Sequence, residues 1–113
     1  MIEYQVSEVR PQVRRIALIG RLDSAGVEQI EAPLTAAVRD GTQHILFDLS
    51  KVPFVGSLGI RLLISVGRVL QRQDRRLVMY GVQPQVAEVF ETVTLGDLIP
   101  ITGTEDEALA EVV

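Results

Sequence analysis

The 113-residue chain contains no cysteine and no tryptophan, and it has a single histidine, His44. The lack of cysteine excludes disulfides and thiolate chemistry, so a metal site would have to be built from carboxylates. The aromatic fraction is only 4%, and no apolar run approaches the roughly 20 residues that a membrane-spanning helix needs. The polar opening MIEYQVSEVR also lacks the apolar core of a secretion signal. From these absences we expect a soluble, cytoplasmic protein without a membrane span.

The charge balance is acidic, because 11 basic and 15 acidic residues give a net charge of −4. Such a chain has no general attraction to nucleic acid or to an anionic membrane, and we expect no direct nucleic-acid binding. Arginines cluster in VRR (13–15) and RQDRR (72–76), which we interpret as solvated ends of a strand and a helix. Apolar residues make up 47% of the chain and charged residues 23%, which is typical of a globular domain. The length fits a single domain over residues 1–113.

Hydrophobic periodicity predicts nine elements in the order β-β-α-β-α-β-α-β-α. The segments YQVSEV and VRRIALIG, which Pro11 separates, are typical of a hairpin, and HILFDLS predicts a central strand covered on both faces. Asp23 or Ser24 is favoured as the N-cap of the first helix, and Thr104 with Glu107 predicts a capping box at the last one. Strands that alternate with helices predict an α/β domain with a mixed, mostly parallel β-sheet.

Several kinds of chemistry have no motif in this chain. Neither GxGxxG nor GxxxxGK[ST] occurs, so a glycine-rich phosphate loop is not predicted. A Ser-His-Asp catalyst could formally use Ser57, His44 and Asp48. However, GSLG lacks the GxSxG spacing, and His44 begins the strand whose far end leads to Ser57. The carboxylates of TEDEALAE are better explained as a first helical turn than as a metal site. We therefore expect no enzyme, no metal and no cofactor, and a hydrolase that uses Ser57 is the least favoured alternative.

The stretch FVGSLGIRLL (54–63) places Ser57 between Gly56 and Gly59, just after the predicted central strand. Serine is a favoured N-cap, so one interpretation of Ser57 is purely structural. The other interpretation is that Ser57 is displayed at the carboxyl edge of the sheet, where binding sites gather in α/β proteins. A phosphate there would suit the helix N-terminus, and it would repel a partner docked over the loop.

Three segments, GRLDSAGVEQI, HILFDLSKVPFVGSLGIRLL and RLVMYGVQPQVAEVFETVTLGDLIPI, resemble a STAS domain and, more narrowly, the bacterial anti-sigma factor antagonists. The resemblance extends over nearly the whole chain. It lies in the order of a G-x-L-D turn, a D-L-S-x-V strand end and an F-x-x-S-x-G-I/L loop. It implies a single STAS-like domain that binds an anti-sigma factor, itself a serine kinase, and so frees the sigma factor. It also implies that phosphorylation of the loop serine breaks the complex and that a PP2C-type phosphatase restores it.

The serine that this family phosphorylates corresponds to Ser57. The family loop usually reads Asp-Ser-Ser-Gly, whereas Gly56 and Leu58 stand here in place of the acidic residue and the second serine. We assign the apolar part of the docking surface to Val55, Leu58 and Ile60. The predicted partner-binding residues lie in the two loops around Ser57 and are Leu22, Asp23, Ser24, Val55, Gly56, Leu58, Gly59, Ile60 and Arg61.

Other interpretations of the same pattern stay open. Arg61 lies one helical turn beyond Ser57, and we hypothesise that it pairs with a phosphate on Ser57. A STAS domain can also serve, without phosphorylation, as a scaffold or a transport-associated subunit. Exposed apolar residues on the second helix could in addition serve a homodimer.

Overall fold

The computed structural model describes residues 2–112 and contains, within that range, five strands, four α-helices and one 3-10 helix. The strands are β1 (Glu3–Arg10), β2 (Val13–Ile19), β3 (His44–Lys51), β4 (Leu77–Tyr80) and β5 (Ile101–Thr102). The α-helices are α1 (Ser24–Arg39), α2 (Ser57–Arg72), α3 (Pro84–Thr92) and α4 (Glu105–Val112). The predicted order of nine elements is confirmed. The 3-10 helix Leu95–Asp97 between α3 and β5 was not predicted.

The five strands form one mixed sheet in the order β1-β2-β3-β4-β5. The first two strands form the predicted antiparallel hairpin, and β3, β4 and β5 each pair in parallel with the strand before them. A parallel connection needs a crossover, and crossovers in the same sheet are right-handed in nearly all proteins. Three successive right-handed crossovers that step in one direction place α1, α2 and α3 on the same face. The helix α4 packs on the other face.

Each face of the sheet has its own apolar cluster. Along β3 the side chains alternate: Ile45 and Phe47 belong to the large cluster under α1, α2 and α3, whereas Leu46 belongs to the smaller cluster under α4. All three side chains are at most 1% exposed. The prediction that HILFDLS forms a central strand covered on both faces is therefore confirmed.

Polar contacts hold α4 in place. The Thr104 backbone N–H donates to Glu107 Oε1 (3.1 Å) and the Glu107 backbone N–H donates to Thr104 Oγ1 (3.2 Å), which confirms the predicted capping box. The Tyr80 hydroxyl and Arg15 Nη1 both donate to Glu105 Oε1. Burial raises the pKa of Tyr80 to about 12, and the negative charge of Asp48 and the bond to Glu105 act in the same direction.

The interpretation of the arginines in RQDRR as solvated is wrong for Arg75, which is buried against the C-terminal end of α1 because it hydrogen-bonds backbone carbonyls there. Arg75 is 6% exposed, and its guanidinium donates to the backbone oxygens of Val38 and Gln43, at 2.7 Å each. Burial lowers the pKa of Arg75 from its ordinary value, and the nearby positive charge of Arg14 adds to this effect. The last carbonyls of a helix lack intrahelical donors, and the Val38 carbonyl of α1 accepts from Arg75 Nη1 and, at 3.4 Å, from the Gly41 backbone N–H.

Candidate functional site

The candidate site forms where two strand-to-helix junctions lie side by side. The first joins β2 to α1 through residues 20–23, and the second joins β3 to α2 through residues 52–56. Leu22 forms a parallel bridge with Val55, so that the Leu22 backbone N–H donates to Phe54 O (2.9 Å) and the Gly56 backbone N–H donates to Leu22 O (3.0 Å). This bridge extends the β2–β3 pairing past the ends of both strands. It brings the N-termini of α1 and α2 together at the carboxyl edge of the sheet.

The two helix starts have the same backbone conformation but differ in their capping groups. The N-cap of α1 is Asp23 (φ −91°, ψ −175°) and that of α2 is Gly56 (φ −91°, ψ −176°). Asp23 Oδ1 accepts a hydrogen bond from the Gly26 backbone N–H (2.8 Å), which confirms Asp23 among the two N-cap candidates. Gly56 has no side chain, and α2 has no side-chain cap. The first backbone N–H groups of α2 are therefore not satisfied by a capping side chain.

Ser57 is the first residue of α2 and not its N-cap, so the purely structural interpretation of this serine is wrong. The reason lies in the backbone: Gly56 adopts the extended cap conformation, and its carbonyl accepts from the Ile60 backbone N–H (3.0 Å). The Ser57 side chain is exposed. Its hydroxyl makes no capping bond and lies at an open helix N-terminus, where it can be reached from solvent.

Three of the nine predicted partner-binding residues are buried and cannot present side chains to a partner. Leu22 is 0% exposed, Val55 is 2% exposed, and Gly59 is also buried. The physical reason is the Leu22–Val55 bridge, which extends the sheet and turns both side chains into the core. A Cβ on Gly59 would lie 2.8 Å from Leu22 O and 2.9 Å from Val55 Cγ1. These residues support the surface from below, and their side-chain positions are not accessible to a binding partner.

The remaining predicted residues lie around Ser57 with different exposure. Ser24, Leu58 and Arg61 are exposed, whereas Gly56 and Asp23 are half-buried. Ile60 is half-buried and packs against the core, so it contributes less to the surface than predicted. Within the described part of α2, Leu58, at 41%, is the only large apolar residue that is exposed. The homodimer through apolar residues of α2 stays a prediction.

Two exposed residues of this surface, Arg21 and Phe54, were not among the predicted partner-binding residues. The Phe54 side chain is 39% exposed, and the Arg21 guanidinium carbon lies 4.3 Å from the centroid of its ring. Arg21 Nε also lies 3.4 Å from Asp23 Oδ2. The only signal in the sequence was an aromatic residue three positions before Ser57, and nothing there indicated that Arg21 would lie on top of it.

Side chains of both positive and negative charge lie around Ser57. The hydrogen bond from the Gly26 backbone N–H is the main cause that lowers the pKa of Asp23; burial opposes it, and the hydrogen bond and positive charge of Arg21 lower the pKa further. Asp23 is therefore ionised at neutral pH. Arg21 and Arg61 supply two positive charges in the same region, so the surface is locally more basic than the acidic chain as a whole.

The structure does not assemble the Ser-His-Asp set. His44 begins β3 and its Nδ1 accepts from the Arg76 backbone N–H (3.0 Å), whereas Asp48 Oδ1 accepts from the Ser50 backbone N–H (3.0 Å). A β-strand rises about 3.3 Å per residue, so the eight residues of β3 separate His44 from the Ser57 end by roughly 25 Å. Among residues 2–112, no group of three or more His, Cys, Asp or Glu side chains could hold a metal ion. No helix in that range is long and apolar enough to cross a membrane.

Known proteins resemble this chain over most of its length. BtrV of Bordetella bronchiseptica is 32% identical over 93 residues, which is 82% of this chain and 80% of BtrV. The anti-sigma-B factor antagonist of Staphylococcus aureus is 34% identical over 89 residues, which is 78% of this chain and 82% of that protein. The structure of the anti-sigma factor antagonist SpoIIAA in its unphosphorylated form is similar with a TM-score of 0.77 and 29% identity, over 96% of this chain and 95% of SpoIIAA.

SpoIIAA has also been solved in its phosphorylated form, and the present chain matches that structure with a TM-score of 0.69 and 28% identity over 96% of this chain and 98% of that one. Residues 4–108 match the STAS domain family, which is nearly the whole of the chain. The resemblance seen in the three sequence segments is confirmed, and the protein is a member of the STAS domain family.

Proposed function

We propose that this protein is an anti-sigma factor antagonist: it binds an anti-sigma factor through the surface around Ser57, and phosphorylation of Ser57 ends that binding. Two similar proteins, the antagonist of Staphylococcus aureus and SpoIIAA, are named for this role, and SpoIIAA is known in phosphorylated and unphosphorylated forms. In this proposal the protein is a cytoplasmic binding module and performs no chemistry itself.

The observation that carries the proposal is the exposed Ser57 at the uncapped N-terminus of α2. Free backbone N–H groups and the helix dipole favour negative charge at this position, so a phosphate there leaves the fold stable. The same phosphate adds a charge of about −1.5 to −2 beside the exposed side chains of Phe54 and Leu58. A partner that covers these apolar side chains would have to desolvate that charge, and binding weakens for this reason.

The proposed partners are an anti-sigma factor of the serine-kinase type and a PP2C-type phosphatase that restores the free hydroxyl. The kinase would meet Gly56 and Leu58 where related loops have aspartate and serine. A carboxylate is nevertheless near, because the parallel register that joins Leu22 to Val55 puts Asp23 beside Gly56. Asp23 belongs to the neighbouring junction and, in this proposal, supplies the acidic group that the Ser57 loop lacks.

The test compares Ser57→Asp with Ser57→Ala. The anti-sigma factor is first recovered with the wild-type protein from the native host, and its dissociation constant is then measured for each variant by calorimetry. We expect Ser57→Asp to weaken binding more than tenfold relative to Ser57→Ala, which corresponds to about 1.4 kcal/mol or more. Ser57→Asp should melt at or slightly above the temperature of Ser57→Ala, since loss of the hydroxyl removes no capping bond and the helix N-terminus favours a carboxylate.

Two results would count against the proposal. Equal affinity of the two variants would show that charge at position 57 does not control binding, and the scaffold or transport-associated role would then be favoured. Labelling of Ser57 by a covalent serine-hydrolase probe would favour a catalytic role. Intact-mass analysis of the protein recovered from the host adds a direct check, because the wild type should carry a phosphate that Ser57→Ala lacks.

A further inference from the structure

Arg21 is held over Phe54 by weak contacts that leave it free to move. Its guanidinium lies 4.3 Å from the ring centroid, and its Nε lies 3.4 Å from Asp23 Oδ2. The side chains of Arg21 and Asp23 are 57% and 40% exposed, so water screens this ion pair. An exposed cation–π contact and an exposed, screened ion pair are each weak. A stronger anion nearby would therefore displace Arg21 from both.

The backbone places Arg21 beside Phe54, three residues before Ser57. Leu22 is hydrogen-bonded to both Phe54 and Gly56, so Arg21 runs alongside Phe54 in the parallel register. The Phe54 ring lies against Gly56, since a Cβ on Gly56 would be 3.3 Å from Phe54 Cε2. The Arg21 guanidinium thus rests on a ring that itself covers the start of α2. The Arg21 side chain is long and flexible, and it starts two residues before Asp23, which the parallel register places beside Gly56.

We propose that Arg21 is the phosphate-binding residue of the switch: it stacks on Phe54 when Ser57 is unmodified and leaves the ring to pair with the phosphate when Ser57 is phosphorylated. This inference rests on the proposed function only in taking Ser57 as the phosphorylated residue. The direction of the transfer follows from charge. A phosphate offers a charge of about −1.5 to −2 and three acceptor oxygens that suit the planar guanidinium, whereas the ring offers only a quadrupole.

The transfer of Arg21 has a consequence that charge repulsion alone does not have. The docking surface of the unmodified protein includes Phe54 with a guanidinium stacked on it. After the transfer, the ring of Phe54 is bare and the positive charge that flanked it is paired with the phosphate. A partner whose carboxylates recognise Arg21 loses that contact at the same time as it meets the new negative charge. Phosphorylation therefore removes an attractive group as well as adding a repulsive one.

Arg61 is the second cation near Ser57, and the experiment separates it from Arg21. Arg61 lies four residues after Ser57 on α2, where a preceding anion and a following cation interact favourably along the helix. Any effect of Arg61 on the phosphate pKa would come from this spacing along α2, and it would not alter the contact between Arg21 and the Phe54 ring. The Arg21 contribution requires both a shift in the phosphate titration and a loss of the contact with the ring.

The test installs phosphoserine at position 57 by genetic encoding and needs neither kinase nor partner. The phosphate pKa is measured by phosphorus NMR in the otherwise wild-type phosphoprotein and in Arg21→Gln, Arg61→Gln and Arg68→Gln, the last being an exposed arginine farther along α2. We expect Arg21→Gln to raise the phosphate pKa by about 0.5 unit, because an opposite charge nearby favours the ionised form. Arg68→Gln should leave it unchanged.

A second NMR measurement reports whether Arg21 remains stacked on the Phe54 ring. In unmodified protein the Arg21 δ protons should show an upfield ring-current shift that Phe54→Leu removes. The same shift should disappear in the phosphoprotein. An unchanged phosphate pKa in Arg21→Gln overturns the proposal, as does a ring-current shift that persists after phosphorylation. Because the phosphate is installed directly, either result leaves the comparison of Ser57→Asp with Ser57→Ala standing, and failure of that comparison does not alter these two readouts.

Discussion

Two glycines of α2, Gly59 and Gly67, give a matched test of how tightly the helix is packed against the site. A Cβ on Gly59 would lie 2.8 Å from Leu22 O, 2.9 Å from Leu22 Cβ and 2.9 Å from Val55 Cγ1. These distances are shorter than normal contacts, and two of the three atoms belong to or adjoin the backbone, which cannot rotate away. On Gly67 the nearest atom would be Ile99 Cγ1 at 3.5 Å, which is an ordinary contact. Both residues are helical, so replacement by alanine raises helix propensity at both.

The expected free-energy changes have opposite signs. Alanine is more favourable than glycine in a helix by up to about 1 kcal/mol, and Gly67→Ala should gain most of this. For Gly59→Ala the added methyl group forces the Leu22–Val55 bridge and the start of α2 apart, and overpacking of this kind costs about 1–3 kcal/mol. The gain in helix propensity offsets part of this cost, so the free energy of unfolding of Gly59→Ala should be lower than that of the wild type by about 1–2 kcal/mol. The two variants should therefore differ by roughly 2–3 kcal/mol.

Urea unfolding followed by circular dichroism measures both free energies of unfolding, and equal slopes for the two variants show that their midpoints can be compared. A thermal melt should agree, since 1 kcal/mol corresponds to about 4 °C in a domain of this size. If Gly59→Ala proves as stable as Gly67→Ala, the helix start is not pressed against the Leu22–Val55 bridge. Ser57 would then not be positioned by the packing of Gly59 against Leu22 and Val55.

Two further predictions concern titration and burial. Because the pKa of Tyr80 rises from an ordinary value of 10.0 to about 12 on folding, the folded state keeps this proton longer than the unfolded state. The resulting stability is complete below pH 10 and is lost as the pH rises towards 12. In Tyr80→Phe the free energy of unfolding should fall less steeply across that window, and an identical fall would refute the assignment. Arg75→Met removes the hydrogen bonds to Gln43 O and Val38 O and leaves Val38 O with the longer contact from the Gly41 backbone N–H (3.4 Å). We expect the free energy of unfolding in urea to fall by about 2 kcal/mol, with Arg68→Met as the exposed control. Equal stability of those two variants would contradict the role given to Arg75.

Local sequence patterns determined the elements and several of their ends. The amphipathic helices and the half-buried hairpin strands show the hydrophobic period of their own backbone geometry, and the strand covered on both faces shows a short continuous apolar run. The capping box of Thr104 and Glu107 was likewise predictable, because its two partners are three residues apart. The order of elements was enough to predict a mostly parallel sheet, since alternating strands and helices require crossovers.

The site was predicted less completely, and Ser57 illustrates why. Gly56 and Ser57 are both acceptable N-caps by residue type, and the choice depends on which of them adopts the extended backbone. That is set by the hydrogen bond from the Gly56 N–H to Leu22 O, a residue 34 positions earlier in the chain. The burial of Leu22 and Val55 follows from the same bridge, which no local pattern of either loop contains.

The sequence by itself therefore determined the element order, the crossover topology, the STAS resemblance and the place of Ser57 at the carboxyl edge of the sheet, because each depends on residues close together in the chain or on their order. Only the tertiary structure decided which loop residues face solvent, and that Arg21 rests on Phe54. Those features arise from pairing between segments more than 30 residues apart, and the physical reason is that burial and stacking depend on what the fold brings opposite a side chain.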